Sequence, residues 1–431
     1  MLRIAMVSPY SVSVPGGVQA QVLGLARELR RIGHEVRVLA PCDGPPPEPF
    51  VTPLGNSLPT AANGSVAPLA PDPSAAMRTI RALNDEAFDV IHLHEPIVPG
   101  PTVTALLLKL APTVGTFHAA GDSTSYRVLN KTARWAAEHL NVRVAVSESA
   151  KELASRYLDG EYTILFNGIE VQRYSRPTTP RETSPTVFFC GRYEPRKGLE
   201  VLLQAMAHLP KNVKLWIASD GAGIDDLQNT YGADERISWL GRITEEDKLD
   251  RLARCTTFCA PSLRGESFGI VLLEAMAAGA VLVASNISGY NNVATHDVNA
   301  MLVEPGNPVA LSEALQVATT NTSIRDRLVT GGHAVRVVII PIAANIVRRF
   351  EYVEGDAIIL QPLGRGEAGT TGTDDANFRT CHGRRMPGRL GNATLYRAQS
   401  CQNSDGVNRK FQLHLMSRLC GRQSTGADIH L

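Results

Sequence analysis

The chain has 431 residues, which is enough for two domains and a further segment. Its 43 Lys and Arg residues nearly balance its 42 Asp and Glu residues, so no overall field favours a nucleic-acid partner. Hydrophobic residues make up 44% of the chain, but charged residues or proline interrupt every apolar stretch before it reaches the length of a membrane span.

The N-terminal residues predict a β-α-β unit. The apolar run Ile4–Val7 is too short for a signal peptide before Pro9, so we predict a buried strand. Apolar residues recur at helical spacing over Val18–Ile32, Gly33 ends this helix, and a second strand covers Val36–Ala40. Without a signal peptide, the seven scattered cysteines predict reduced thiols in the cytoplasm.

Predicted strands and helices continue to alternate in both halves of the chain. The proline-rich segment Pro45–Pro53 is predicted as a loop, and the polar stretch 167–180 as a linker between two domains. The further predicted strands are Asp89–His94, Thr113–His118, Arg143–Ser147, Thr186–Cys190, Val213–Ala218, Ile237–Leu240, Thr256–Ala260 and Val281–Ser285. We therefore expect two Rossmann-like α/β domains with parallel sheets, residues 1–169 and 170–334, that face each other across a cleft.

The C-terminal residues differ in character. Residues 335–356 contain the helical segment Ile342–Phe350, whereas residues 357–431 lack periodicity and are rich in Gly, Arg, Asn, Thr and Ser. We predict an irregular, mostly disordered tail over 357–431, with room for a short helix at Phe411–Leu419.

Two polar loops follow predicted strands. Gly16 and Gly17 begin the first helix, where a diphosphate or sugar could approach the backbone, although a plain tight turn is an equal explanation. No G-x-G-x-x-G follows the strand, which disfavours an NAD-dependent dehydrogenase. Arg192, Arg196 and Lys197 lie in a strand-to-helix loop and could bind a diphosphate, although a solvated basic turn is the usual alternative.

The segment Gly265–Glu274 carries two carboxylates eight residues apart. We expect Glu266 on a loop and Glu274 about two turns inside a helix that begins near Phe268. Backbone N–H groups of residues 267–269 would then form a helix N-terminus that can bind an anion. Carboxylates that bind hydroxyls on either side of such an anion site suit a nucleotide-sugar.

Three histidines and two other clusters are ambiguous. His118 ends a strand and could bind a sugar hydroxyl or a developing charge, although a buried structural histidine is the favoured alternative. His92 and His94 share one face of a strand, where packing is favoured over a metal pair. Cys255 and Cys259 lack a second ligand pair, so no metal site is expected, and Asp225–Asp226 is predicted as a solvated helix start.

These motifs occur in the same order in retaining GT-B glycosyltransferases of family 4, which the chain resembles over residues 1–355. The motifs are Pro15–Gln19, Gly191-Arg192 with Lys197-Gly198, and Glu266 with Glu274. Within that family the chain most resembles actinobacterial phosphatidylinositol mannosyltransferases. The segments that carry this closer resemblance are 8–10, 63–66, 89–96, 116–118, 194–198 and 265–279.

The resemblance implies a role for each matching residue. Arg192 and Lys197 would neutralise the donor diphosphate, Glu274 would bind the ribose, and Gly17 would let the first domain close. Glu266 and the segment Ser267, Phe268, Gly269 and Ile270 would bind the donor sugar. The implied catalytic residues are His118, Arg192, Lys197 and Glu266. The implied acceptor residues are Tyr10, Gln19, Asn63, Ser65 and Arg196.

The resemblance also implies a reaction. GDP-mannose would donate mannose to the inositol of phosphatidylinositol at the inner face of the cell membrane, without a metal or other cofactor. Retention would follow from same-face attack, with the leaving phosphate taking the acceptor's proton. The helix Ile342–Phe350 would cross back to the first domain. No oligomeric state is indicated.

Two departures from the family concern the acceptor side. The helix before segment 89–96, Ser74–Ala82, keeps only Arg78 and Arg81 of a dense Lys/Arg set, which predicts weaker attraction to anionic lipid. Ala119–Ser123 lacks the hydroxyl and lysine expected after His118. A family-4 enzyme with another donor or acceptor and a non-catalytic sugar-nucleotide-binding protein therefore stay open as alternatives.

Overall fold

Two parallel β-sheets organise the structure, a computed structural model that describes residues 1–62, 65–121, 130–175 and 179–335. The prediction of two Rossmann-like α/β domains is therefore confirmed. The predicted helix Ile342–Phe350 and the predicted tail, 357–431, lie outside the described residues. None of the helices within the described ranges has both the length and the apolarity needed to cross a bilayer.

The first domain contains a seven-stranded sheet and a separate hairpin. Its strands are β1 (Arg3–Val7), β2 (Glu35–Ala40), β3 (Val51–Pro53), β4 (Leu58–Ala62), β5 (Ser65–Leu69), β6 (Val90–His94), β7 (Thr113–Phe117), β8 (Val142–Ala145) and β9 (Thr163–Ile164). Its helices are α1 (Gly17–Arg31), α2 (Pro73–Asp85), α3 (Pro101–Leu108), α4 (Asn130–Ala137) and α5 (Glu148–Leu158). A short helix, α6 (Val171–Tyr174), lies in the linker.

The second domain contains a six-stranded sheet. Its strands are β10 (Thr186–Cys190), β11 (Lys214–Ala218), β12 (Ile237–Trp239), β13 (Thr257–Ala260), β14 (Val281–Ser285) and β15 (Met301–Val303). Its helices are α7 (Leu199–Met206), α8 (Ile224–Tyr231), α9 (Glu245–Arg254), α10 (Ile270–Ala277) and α11 (Pro308–Thr320), and residues 322–335 are also helical. Two 3₁₀ turns cover Pro195–Lys197 and Tyr290–Asn292.

The strand order of each sheet creates a crevice for a ligand. The orders are β3-β2-β1-β6-β7-β8-β9 and β12-β11-β10-β13-β14-β15, with every pair parallel. The order reverses between β1 and β6 in the first sheet and between β10 and β13 in the second. Loops that leave adjacent strands at such a reversal diverge to opposite faces, which opens a crevice at the carboxyl edge.

The apolar pattern of the sequence explains the first unit of the fold. Val22, Leu25 and Leu29 are buried on one face of α1, as the helical spacing predicts. Gly33 has φ of +99° and follows the helix, where this conformation allows the chain to turn into β2. The first βαβ unit was therefore predictable from local pattern.

Two elements of the first domain differ from the prediction. The loop predicted over Pro45–Pro53 is wrong at Val51–Pro53, which forms the edge strand β3 beside β2. An edge position explains why a strand tolerates proline there. The antiparallel hairpin β4–β5 was not predicted, and its register pairs Pro59 with Pro68. The sequence did not predict either element, because proline residues usually indicate a break in a strand.

Polar contacts attach the linker to the first domain. Arg27 on α1 donates to the two carboxylate oxygens of Glu170, with distances of 2.8 Å from Nε and 2.5 Å from Nη2. The amide of Gly168 donates to Gln21 Oε1 at 3.1 Å. On the other side, Val171 and Tyr174 pack into the apolar core of the second domain. The linker is therefore bonded to one domain and buried in the other.

We predict that Gly198→Ala destabilises the second domain. Gly198 has φ of +70°, and a Cβ there would lie 1.9 Å from the carbonyl oxygen of Pro261. Gly241→Ala is a matched control, because Gly241 has φ of +64° and its Cβ would meet no atom within 4 Å. Chemical unfolding should show a loss of about 1–2 kcal/mol for the control and roughly 3–4 kcal/mol for Gly198→Ala. Equal losses would show that the contact with Pro261 is unimportant.

Candidate functional site

The crevice of the second domain brings together the basic loop and the carboxylate segment that the sequence analysis described separately. Residues 191–198 leave β10 and residues 261–269 leave β13, the two strands at which the order reverses. The amide of Leu263 donates to the carbonyl of Arg196 at 2.7 Å, so the loops are in backbone contact. The basic loop and the carboxylate loop therefore form one site.

Glu266 is the centre of this site. Its Oε1 accepts from Lys197 Nζ at 2.6 Å and from Arg196 Nη1 at 2.8 Å. Arg196 also donates to Glu194, at 2.6 Å. Arg192 lies 3.6 Å from Glu194 and is 52% exposed. Three cations face two carboxylates, so the cluster carries one net positive charge, which suits a phosphate.

Two buried hydroxyl groups, those of Ser262 and Tyr290, form a hydrogen-bonded pair next to Glu266. Ser262 Oγ lies 3.4 Å from Glu266 Oε1 and 2.8 Å from Tyr290 Oη. Burial raises the pKa of Tyr290 well above its usual value, so its hydroxyl keeps its proton. No local pattern in the sequence indicates this pair, since Tyr290 follows a different strand, β14.

Helix α10 begins at Ile270, so the predicted start near Phe268 is wrong. Gly269 has φ of +86°, a conformation that cannot continue a helix. Glu274 consequently lies about one turn into the helix rather than two. Gly269 provides no side-chain cap, so the first N–H groups of α10 lack a side-chain acceptor.

The first helix of the other domain begins close to α10. A Cβ on Gly17 would lie 3.5 Å from Ile270 Cδ1, and the N-cap of α1, Gly16, also provides no side-chain cap. Ser147 Oγ, at the start of α5, lies 3.4 Å from Ser267 Oγ. Two helix N-termini without side-chain caps therefore lie next to each other across the domain boundary, where their partial positive charges can act on one anion.

Glu274 is buried among partners from two other elements. Its side chain is 5% exposed. Tyr174 Oη donates to Oε1 at 2.8 Å, and Lys248 Nζ lies 3.1 Å from each carboxylate oxygen. Burial lowers the pKa of Lys248, but Glu274 and Glu245 outweigh it, so this pKa lies above its usual value. Glu274 therefore faces a protonated amine and a hydroxyl.

The first domain contributes a buried histidine cluster at the carboxyl edge of its sheet. His94 Nδ1 lies 3.0 Å from His118 Nε2, and His92 Nε2 lies 2.7 Å from Thr116 Oγ1. Burial lowers the pKa of His118 to about 3 and that of His92 to about 4. His118 is therefore a neutral imidazole near pH 7, able to form hydrogen bonds but not to act as a cation.

Glu95 fixes the backbone at His118. It has φ of +54°, and its Oε1 accepts from the amides of His118 and Ala119 at 2.7 Å each. A carboxylate that accepts two amides is strongly oriented. No role was predicted for Glu95, although it lies within the segment 89–96 that carries the family resemblance.

The predicted acceptor residues lie on separate elements. Tyr10 follows β1 and pairs with Leu69 of the hairpin, and buried Gln19 donates to the carbonyl of Ser11 at 3.4 Å. Ser65 begins β5, and Asn63 lies outside the described residues. Arg196 belongs instead to the second domain, bonded to Glu266. The acceptor roles of these five residues stay predictions.

The remaining clusters take structural positions. Cys255 and Cys259 are fully buried, and burial raises the pKa of Cys255 to about 12. Asp225 and Asp226 lie in the first turn of α8, as predicted. Within the ranges that the structure describes, no three His, Cys, Asp or Glu side chains are placed to hold a metal ion together.

Family models match both domains. Residues 15–173 match the model described as Glycosyltransferase Family 4, and residues 170–334 match Glycosyl transferases group 1. The two matches meet within the linker. The first match includes every strand of the first sheet except β1, and the second match includes the whole second sheet.

Solved structures with a similar fold cover most of the chain. HepE from Anabaena in complex with UDP and glucose matches with a TM-score of 0.64 and 18% identity, over 82% of this chain and 100% of that one. WaaG, a glycosyltransferase involved in lipopolysaccharide biosynthesis, matches with a TM-score of 0.61 and 18% identity, over 81% and 100%. At these identities the similarity establishes the GT-B fold alone.

Similar curated proteins are much closer in sequence. Phosphatidyl-myo-inositol mannosyltransferase of Mycobacterium leprae is 38% identical over 81% of this chain and 93% of its own length. The protein of the same name from Propionibacterium freudenreichii is 35% identical over 73% and 85%. Identity of this extent across both sheets, with the carboxylate and basic loops united at one crevice, shows that the chain belongs to the family-4 glycosyltransferases and is a hexosyltransferase.

Proposed function

We propose that the chain is a retaining mannosyltransferase that transfers mannose from GDP-mannose to the inositol of phosphatidylinositol, at the cytoplasmic face of the cell membrane. The observation that carries this proposal is the cluster of Arg196, Lys197 and Glu266 beside the start of α10. The names of the similar curated proteins support the choice of mannose and of the lipid acceptor.

The donor fits the site by charge and by length. Arg192, Lys197 and the N–H groups at the start of α10 suit the diphosphate. Glu266 and the backbone of 267–270 suit the hydroxyls of the sugar, while Glu274, one turn into the same helix, suits the ribose. Gly17 suits a close approach of the first domain to the donor, because a Cβ there would already be in contact with Ile270 Cδ1, at 3.5 Å.

The same groups stabilise the transition state. The bond from the anomeric carbon to the phosphate oxygen breaks, and the departing diphosphate gains negative charge beside Lys197 and Arg192. The acceptor hydroxyl attacks from the same face, forms the new glycosidic bond and passes its proton to the leaving phosphate oxygen. The neutral imidazole of His118 would bind a donor hydroxyl. No metal or cofactor is needed in this scheme.

The proposed acceptor residues lie mainly in the first domain. Tyr10 lies in the loop after β1 and forms a bridge with Leu69 of the hairpin β4–β5. On α2, Arg81 pairs with Asp85 and Arg78 donates to the carbonyl of Leu54. Each basic residue adds about 1 kcal/mol of attraction to anionic lipid. The few basic residues on α2 favour, as a second candidate, an acceptor that needs little membrane binding.

Incubation with labelled nucleotide-sugars and phosphatidylinositol vesicles tests the proposal. We expect mannosylated lipid from GDP-mannose, an α-linked product, and higher rates with anionic than with neutral vesicles. Success of another donor where GDP-mannose fails would overturn the donor assignment, and a β-linked product would overturn retention. Activity unaffected by anionic vesicles would favour the second candidate. Nucleotide binding with no turnover would favour a non-catalytic binding protein.

We predict that Lys197→Met lowers kcat by roughly 10²- to 10³-fold, because Lys197 stabilises charge that develops in the transition state. The Kd for GDP should rise by less than the loss in kcat. Lys211→Met, at an exposed position before β11, is the control and should leave kcat unchanged. Steady-state kinetics and calorimetry measure both quantities. A rise in Kd that accounts for the whole effect would assign Lys197 to binding alone.

We also predict that Glu274→Gln weakens GDP binding by roughly 10- to 100-fold, because the amide offers one acceptor oxygen instead of two. Glu313→Gln, at an exposed position on α11, is the control and should not change the Kd. Calorimetry gives the affinity, and thermal unfolding checks that both variants are folded. Unchanged GDP affinity in folded Glu274→Gln would contradict the ribose role.

A further inference from the structure

Glu274 reaches the nucleotide site from within a network that spans three elements. The carboxylate belongs to α10, Tyr174 to the linker helix α6, and Lys248 to α9. Helix α6 contacts both α9 and α10. The Lys248 amine also lies 5.8 Å from the centroid of the Tyr174 ring. The three polar groups are therefore mutual neighbours.

The hydrogen bonds to Glu274 leave the two carboxylate oxygens in different states. A carboxylate has about four acceptor positions, two on each oxygen. Oε1 accepts from two donors, Tyr174 at 2.8 Å and Lys248 at 3.1 Å. Among the residues that the structure describes, Oε2 accepts from Lys248 alone, at 3.1 Å, so it is the less occupied oxygen. A ligand hydroxyl can therefore add to Oε2 without displacing a protein donor.

Tyr174 can serve only as a donor in this contact. Its partner is a carboxylate oxygen, which has no proton to give when ionised. Burial, and then the charge of Glu274, raise the pKa of the Tyr174 hydroxyl, so the proton remains available. The side chain is itself buried, which removes water as a competitor for the proton.

The linker holds Tyr174 in place. Glu170 begins the same segment and receives two bonds from Arg27 of the first domain. Arg173 lies 3.8 Å from Glu170 and 3.9 Å from Glu245. Glu245 in turn lies 3.1 Å from Lys248. The donors to Glu274 are thus anchored by charges from both domains.

We infer that Tyr174 and Lys248 are positioning residues for the donor nucleotide, which hold Glu274 so that Oε2 accepts one ribose hydroxyl. This inference rests on the proposed role of Glu274 in binding the ribose. It adds that ribose recognition depends on the hydroxyl of Tyr174 in the interdomain linker, which is 100 residues before Glu274 in the chain. In this role Tyr174 and Lys248 act on the ribose through the carboxylate of Glu274.

The test compares nucleotides with and without ribose hydroxyls. The 431-residue chain is titrated with GDP, UDP and their 2′,3′-dideoxy analogues, and the ratio of dideoxy to ribose Kd is determined for the nucleotide that binds more tightly. We expect a ratio of roughly 10 to 100 in the unmodified chain, since a hydrogen bond to a charged group is lost. Tyr174→Phe should lower this ratio at least about threefold. A general structural defect would weaken the binding of the ribose form and of the dideoxy form equally, and would leave the ratio of their Kd values unchanged.

Tyr162→Phe is the matched control. Tyr162 is also a buried tyrosine, but it packs against Phe117 in the core of the first domain. Its loss of a hydroxyl should leave the ratio as in the unmodified chain. Lys248→Gln is a second variant, which decides the matter if Tyr174→Phe does not fold, and it should also lower the ratio.

The possible results separate this inference from the proposed function. If the unmodified chain binds neither nucleotide, or binds ribose and dideoxy forms equally, the donor role of Glu274 fails and the inference with it. If the unmodified chain prefers ribose and the folded Tyr174→Phe or Lys248→Gln variant keeps the full ratio, only the positioning role is overturned.

Discussion

The reversal of strand order in two parallel sheets is the constraint on which the site depends. Parallel strands buried on both faces leave little room for polar side chains except in the loops at their ends. Where the order reverses, adjacent loops diverge and leave a crevice at the carboxyl edge. In the second domain the basic loop after β10 and the carboxylate loop after β13 line this crevice. The start of α1, in the first domain, lies close to Ile270 at the start of α10.

Charge pairing before the donor arrives determines how the site can work. Lys197 and Arg196 share one oxygen of Glu266, so these cations are held in place instead of being free in solvent. A bound diphosphate would compete with Glu266 for Lys197, and the net positive charge of the cluster favours that exchange. Preorganised charge of this kind stabilises a leaving group without reorganisation at the moment of reaction.

The linker is more than a connection between the domains. Glu170 of the linker is bonded to Arg27 of the first domain, and Tyr174 of the linker donates to Glu274, the carboxylate proposed to bind the ribose. These contacts connect the first domain to Glu274 through a short stretch of the linker.

The sequence by itself determined the alternation of strands and helices, the two-domain division and the residues of the basic and carboxylate loops. These are local patterns: apolar runs such as Thr186–Cys190, helical spacing from Val22 to Leu29, and charges in adjacent loop positions. Only the tertiary structure decided which groups meet. Strand order, the edge strand at Val51–Pro53 and the partners Tyr174, Lys248, Ser262 and Tyr290 all depend on contacts between segments that are separate in the sequence. Local periodicity carries no information on such contacts, because they join residues that are far apart in the sequence and meet only in the folded domains.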